Sequence, residues 1–156
     1  MPSPIVTTLT STGQLCNNAP LVKNKSITFD SIETLRKVFQ VSCTATAIRL
    51  VQLGSFPAMV VCNAKNRRCW FNRGPLVPEE LWPVDKPGRD SGACSLFQNP
   101  GKNRETYDIS ADNWINHPDS FKYLLREDSI KISADLVLTL LWWKDERQIL
   151  DLDDEN

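Results

Sequence analysis

The stretch FQVSCTATAIRLVQLG (residues 39–54) decides how this chain is read, because it has the outline of the second half of a helix-turn-helix. Ser42 is placed to cap a helix beginning at Cys43, since its hydroxyl can accept from an amide of the first turn. Between Cys43 and Leu53, Ala47, Leu50 and Val51 recur at helical spacing and are expected inward, with Ala45, Arg49 and Gln52 outward. Gly54 is the natural stop. Upstream, FDSIETLRKVFQ sets Ile32, Leu35, Val38 and Phe39 on one stripe, with Asp30 or Ser31 as the cap. Two short helices joined across Val41-Ser42 match helix-turn-helix geometry.

Past Phe56-Pro57 the pattern changes from helical to strand-like. AMVVCN and RRCWFNRG are short β-type runs flanking AKN, which predicts a hairpin. GPLVPEELWPVDKPGRD holds four prolines and reads as a connection with at most a turn of helix. SGACSLFQN is a weak helix, RETYDISADNW a strand, and YLLREDSIKIS and DLVLTLLWWKD two longer strands separated by Ala134-Asp135. The expected class is α+β: an irregular lead-in (1–28), a helix-turn-helix unit (29–55), a mostly antiparallel sheet domain with an inserted helix (56–150) and an acidic tail (151–156).

With 156 residues, 41% apolar and 24% charged, the composition is that of one globular domain or two small units. ADLVLTLLWW is far too short to span a membrane, and no basic segment followed by an apolar core opens the chain, so neither a span nor a secretory signal is expected. Five cysteines (Cys16, Cys43, Cys62, Cys69, Cys94) fall in apolar segments, as buried reduced thiols of a cytoplasmic protein do. Charge is uneven: residues 21–74 carry nine Lys or Arg against Asp30 and Glu33, while residues 75–156 carry nine against seventeen acidic groups. That asymmetry favours a nucleic-acid partner for the basic half, or simple attraction between the halves.

Catalytic chemistry is hard to assemble. His117 is the single histidine, so the His-Glu-x-x-His helix of zinc peptidases is absent, and no Gly-x-Ser-x-Gly or phosphate-binding glycine loop replaces it. His117 reads as a loop residue. Cys62 and Cys69 flank the predicted hairpin, either as small apolar residues or as a redox pair across it. The acidic tail lacks the spaced ligands of a calcium loop. No catalytic residue, metal ligand or cofactor is expected in this chain.

Binding has more to work with. Ser42, Thr44, Ala45 and Arg49 occupy the leading turns of a candidate recognition helix, while Arg36 and Lys37, with Arg67 and Arg68, can meet phosphates. Against this, the helix offers a single arginine and no asparagine for base readout. Trp70, Trp114 and Trp142 are either core or the lining of a ligand pocket. Trp142 and Trp143, adjacent in a strand, must point to opposite faces. Glu127 is expected to pair with an arginine.

Taken together, LRKVFQVSCTATAIRLVQLGSFPAMVVC, RRCWFNRG and SGACSLFQ resemble the C-terminal part of the ImmA/IrrE family of bacterial metallopeptidases, and ADNWI, LLREDSI and LVLTLLWW continue the resemblance over residues 29–143. In that family a zinc peptidase domain precedes a helix-turn-helix and a GAF-like domain proposed to sense a signal. The resemblance implies a non-catalytic regulatory portion of a repressor-cleaving system in stress response or mobile-element control, without the zinc-binding domain. Its implied partners are a repressor protein or a peptidase domain, and a second copy of the chain. The alternative is a stand-alone helix-turn-helix regulator that binds DNA.

Overall fold

The computed structural model describes residues 28–39, 42–143, 145 and 147, with 35–39 described by backbone alone. The expected lead-in up to residue 27, Cys16, the Val41 turn and the tail 151–156 lie outside the described residues, as do the side chains of Leu35, Arg36, Lys37, Val38 and Phe39.

Two helices come first, α1 (Phe29–Phe39) and α2 (Cys43–Leu53), followed by the hairpin β1 (Ala58–Ala64) and β2 (Arg67–Arg73). After the proline-rich connection come α3 (Gly92–Gln98), β3 (Arg104–Ser110), two 3-10 turns (Ala111–Asn113 and Ser120–Lys122), β4 (Leu124–Ser133) and β5 (Leu136–Trp142). The strands form one antiparallel sheet in the order β2-β1-β5-β4-β3. The last strand is therefore central, and the α+β class expected from the sequence is what forms.

Alternation along the strands creates two cores, one on each face of the sheet. On one face Met59, Val61, Val137 and Leu141 pack with Ala93 and Leu96 of α3 and with Trp114 and Trp143. On the other, Val60, Cys62, Leu138 and Leu140 pack with Phe29 and Ile32 of α1 and Ala47, Leu50 and Val51 of α2. The inward set expected for α2, Ala47, Leu50 and Val51, is buried, and Thr46 and Arg49 are buried with it. Trp142 and Trp143 fall on opposite faces, as adjacent strand residues must.

The helix ends are built partly as expected. Ser42 caps α2, its Oγ accepting from Ala45 N at 3.1 Å, and Gly54 ends it in an extended conformation while its N–H reaches Leu50 O at 2.9 Å. At α1 the cap differs from the expected Asp30 or Ser31. Thr28 Oγ1 accepts from Ser31 N at 3.4 Å, and Phe29 N donates to Asp128 Oδ2 of β4 at 2.8 Å. The local cap is Thr28, and a carboxylate from the sheet takes the first amide of the helix.

The connection after β2 is strapped down by two arginines. Arg73 donates to Leu81 O through Nε (3.3 Å) and Nη2 (2.9 Å), and Arg68 donates to Pro83 O and pairs with Asp85 at 3.4 Å. Phe71 lies under both guanidinium groups, and Trp82 packs edge-on against it. Prolines lack amide donors, and the arginines act beside the backbone bonds Val84 N to Trp114 O (2.8 Å) and Gly88 N to Asn113 O (2.9 Å).

Candidate functional site

The candidate recognition helix is a packed element. Ser42 is exposed and Thr44 and Ala45 are half-buried, but Arg49, expected outward, is only 6% exposed. The reason is that α2 is covered on two sides, by the sheet and by α1, so its buried arc is wider than a one-sided amphipathic helix would have. Burial lowers the pKa of the Arg49 guanidinium, which still carries its charge. Gln52 is outward as expected, and its Nε2 donates to Asn72 Oδ1 of β2 at 3.2 Å. Arg68, expected to be available for phosphate, is engaged by Pro83 and Asp85.

The three tryptophans expected to line one pocket do not meet. Trp114 is fully buried in the core under α3, whereas Trp70 and Trp142 pack in the core under α1 and α2, on the far side of the sheet. Trp114 is placed by the 3-10 turn that precedes it, not by strand alternation. Trp142 instead packs against Phe56, ring centroids 5.4 Å apart.

Strand β4 holds two buried carboxylates in succession, Glu127 and Asp128, and their surroundings differ. Glu127, expected beside an arginine, faces α3 and takes four donors. Gly92 N (2.6 Å) reaches its Oε1, and Ala93 N (3.4 Å), Trp114 Nε1 (2.8 Å) and Ser129 Oγ (3.3 Å) reach its Oε2. Ser129 continues the network to Thr139 at 2.7 Å. Burial pushes the pKa of Glu127 up, and the four donors offset part of that rise. Gly92 can approach this closely only because it has no side chain: a Cβ there would sit 2.8 Å from Glu105 Cβ and 3.1 Å from Glu127 Oε1. Held by two amides of the first turn of α3 and by Trp114 and Ser129, Glu127 anchors α3.

Asp128 faces the helix pair. It accepts from Phe29 N, from Arg104 Nε (3.0 Å) and Nη2 (2.8 Å), and from Thr106 Oγ1 (3.2 Å), and Arg104 continues to Asp30 Oδ1 at 2.9 Å. These bonds hold Arg104 protonated well above its ordinary pKa and lower the carboxyl of Asp30. Sequence reasoning missed Asp128, Arg104 and Asp30 as a set. The available signal was an acidic pair inside an apolar strand, which puts one carboxylate on each face.

An open surface feature surrounds Phe97 of α3. A depression of about 490 Å³ lies between the β1–β2 turn (Lys65, Asn66, Arg67) and the β4–β5 turn (Ala134, Asp135). A second, of about 410 Å³, continues past Pro100, Asn103 and Lys131. Both volumes are in the range that small ligands occupy. Lys65 and Arg67 on the rim form no ion pair among the described residues.

His117 sits half-buried in a turn, its Nδ1 accepting from Asp119 N at 3.1 Å. Among the described residues no three His, Cys, Asp or Glu side chains come together as metal ligands. No described helix is long and apolar enough to cross a membrane. No protein-family model matches the chain, and no curated protein is significantly similar to it.

Proposed function

We propose that this chain is the non-catalytic, signal-receiving part of a repressor-cleaving metallopeptidase system of the ImmA/IrrE type. The observation that carries this reading is the joining of the helix pair to the sheet. Phe29, Ile32, Ala47, Leu50 and Val51 share one core with β1 and β5, and Asp128 binds the first amide of α1. A ligand or partner that shifts the sheet therefore acts on the helices directly, which suits transmission to a neighbouring domain. In this reading the GAF-like role falls to the five-stranded sheet, with the depression beside Phe97 as the place for a signal and the helix pair as the element that contacts a peptidase domain or a repressor. The burial of Arg49 favours it over direct reading of DNA, because a base-reading arginine must reach out of its helix.

The test is peptide mapping of the native protein captured from its source cells. Peptides bearing a His-Glu-x-x-His helix are expected, either continuous with this chain or co-purifying with it. Recovery of this chain alone, together with duplex DNA binding that falls steeply with salt, overturns the reading.

A further inference from the structure

Cys62 and Cys69 stand beside each other across the β1–β2 hairpin. Cys62 is opposite Trp70 and Asn63 is opposite Arg68, which leaves Cys69 as the extra residue of a bulge. A bulge residue has no cross-strand partner of its own, and here the Cys69 side chain is within hydrogen-bonding reach of the Cys62 thiol. The register places Cys69 diagonal to Cys62, directly beside the opposed partner Trp70, and a disulfide needs the two Cα atoms within about 4.4–6.8 Å. Cys62 is 2% exposed in the core beneath α2, Cys69 is exposed, and both are free thiols. Cys94 lies on α3, where its Sγ accepts from Gln98 Nε2 at 3.5 Å.

We propose that Cys62 and Cys69 form a reversible disulfide with a hydroperoxide as oxidant, making the bulge of this hairpin a thiol-modification site.

The two cysteines have different roles because their surroundings differ. Burial first, and the neighbouring Cys69 second, push the Cys62 thiol up to about 11, so Cys62 is not the thiol that reacts first with peroxide and acts only in the second step. Cys69 is the thiol that meets the oxidant. Its sulfur attacks one oxygen of hydrogen peroxide; an S–O bond forms, the O–O bond breaks, and water leaves with the thiol proton. The sulfenic acid at Cys69 is then attacked by the Cys62 sulfur. The S–S bond forms as the S–O bond breaks, and the hydroxyl departs with the Cys62 proton as a second water. Two thiols and one peroxide yield one disulfide and two waters, and a dithiol reductant reverses the change. The bond would fix the bulge beside Trp70, which packs in the same core as α2.

The test uses the full chain treated with hydrogen peroxide, blocked with N-ethylmaleimide and digested with trypsin. Cleavage after Lys65, Arg67 and Arg68 places the two cysteines on separate peptides, 50–65 and 69–73. The expected product joins these two peptides, weighs two hydrogens less than their sum and disappears with dithiothreitol. It should exceed any linkage through Cys16, Cys43 or Cys94 by about tenfold. Cys69→Ser should leave Cys62 fully alkylatable after unfolding. Cys62→Ala, an apolar replacement at a buried site, should leave a sulfenic acid at Cys69 that dimedone captures. Over-oxidation of Cys69 in the unmutated chain while Cys62 stays reduced, or linkage of Cys62 to another cysteine, overturns the proposal even if a variant fails to fold.

Discussion

Glu127 and Asp128 are neighbours in β4 that face opposite sides of the sheet, and each accepts the N–H of the first residue of a helix lying on its own side. Glu127 binds Gly92 of α3 at 2.6 Å, and Asp128 binds Phe29 of α1 at 2.8 Å. One acidic dipeptide thus fixes the helical layers on both faces. A carboxylate is suited to this position because the unpaired amides at a helix N-terminus carry partial positive charge.

Replacing Asp128 by Ala should destabilise the chain by about 2–4 kcal/mol, since it strands the Phe29 amide and leaves Arg104 without its buried partner. The partial exposure of Arg104 lets water recover some of the loss. Arg104→Ala should be comparably harmful, because it leaves a carboxylate buried with only Phe29 and Thr106 as donors. Urea melts give the energies, and hydrogen exchange should show the amides of α1 losing protection first. Unchanged protection in α1 would count against the tether.

Glu127→Gln should cost about 1–3 kcal/mol, because the new amide turns donor hydrogens toward donors already in place. It should also change the pH profile. The folded pKa of Glu127 lies above its unfolded value. Its contribution is therefore fully present below the ordinary carboxylate range and is lost as pH rises through the raised folded value. Asp30 and Glu105, whose pKa values are lowered by Arg104 and Lys102, act in the opposite sense and lose their contribution as pH falls. Stability measured against pH should show the high-side decline in the unmutated chain and not in Glu127→Gln. The same decline in both would assign it elsewhere.

Gly92→Ala should be destabilising by about 1–3 kcal/mol, because the added methyl meets Glu105 Cβ rather than a flexible side-chain end. The near-ultraviolet circular dichroism of Trp114, whose indole shares Glu127 with Gly92, should change with it. An unaltered spectrum and melting point would mean that α3 is seated less tightly than the geometry indicates.

Leu50→Ala removes a fully buried side chain from the core shared by α2 and the sheet and should cost about 2–5 kcal/mol. The helix pair and the sheet should continue to unfold in one transition. Separation into two transitions would show that the helices are an independent unit. Arg49→Ala should lower stability by roughly 1–2 kcal/mol through lost packing of its stem, while a duplex DNA titration at low salt should not distinguish it from the unmutated chain.

The sequence by itself determined the elements and their inward faces. Ser42 as a cap, Ala47, Leu50 and Val51 as the buried stripe, the hairpin around Lys65-Asn66 and the division of Trp142 from Trp143 all follow from local spacing, because helix and strand periods act within a few residues. What required the tertiary structure was anything set by two elements meeting. Arg49 is buried because α1 and the sheet both cover α2, a fact that no helical wheel contains. Trp70 and Trp114 part company because Trp70 lies on the side of β2 that faces α1 and α2, whereas the turn after β3 lies on the α3 side. The partners of Asp128 lie 99 residues away at Phe29 and 24 away at Arg104. Such pairings depend on strand order, and strand order is decided by the packing of both faces at once rather than by any single stretch of chain.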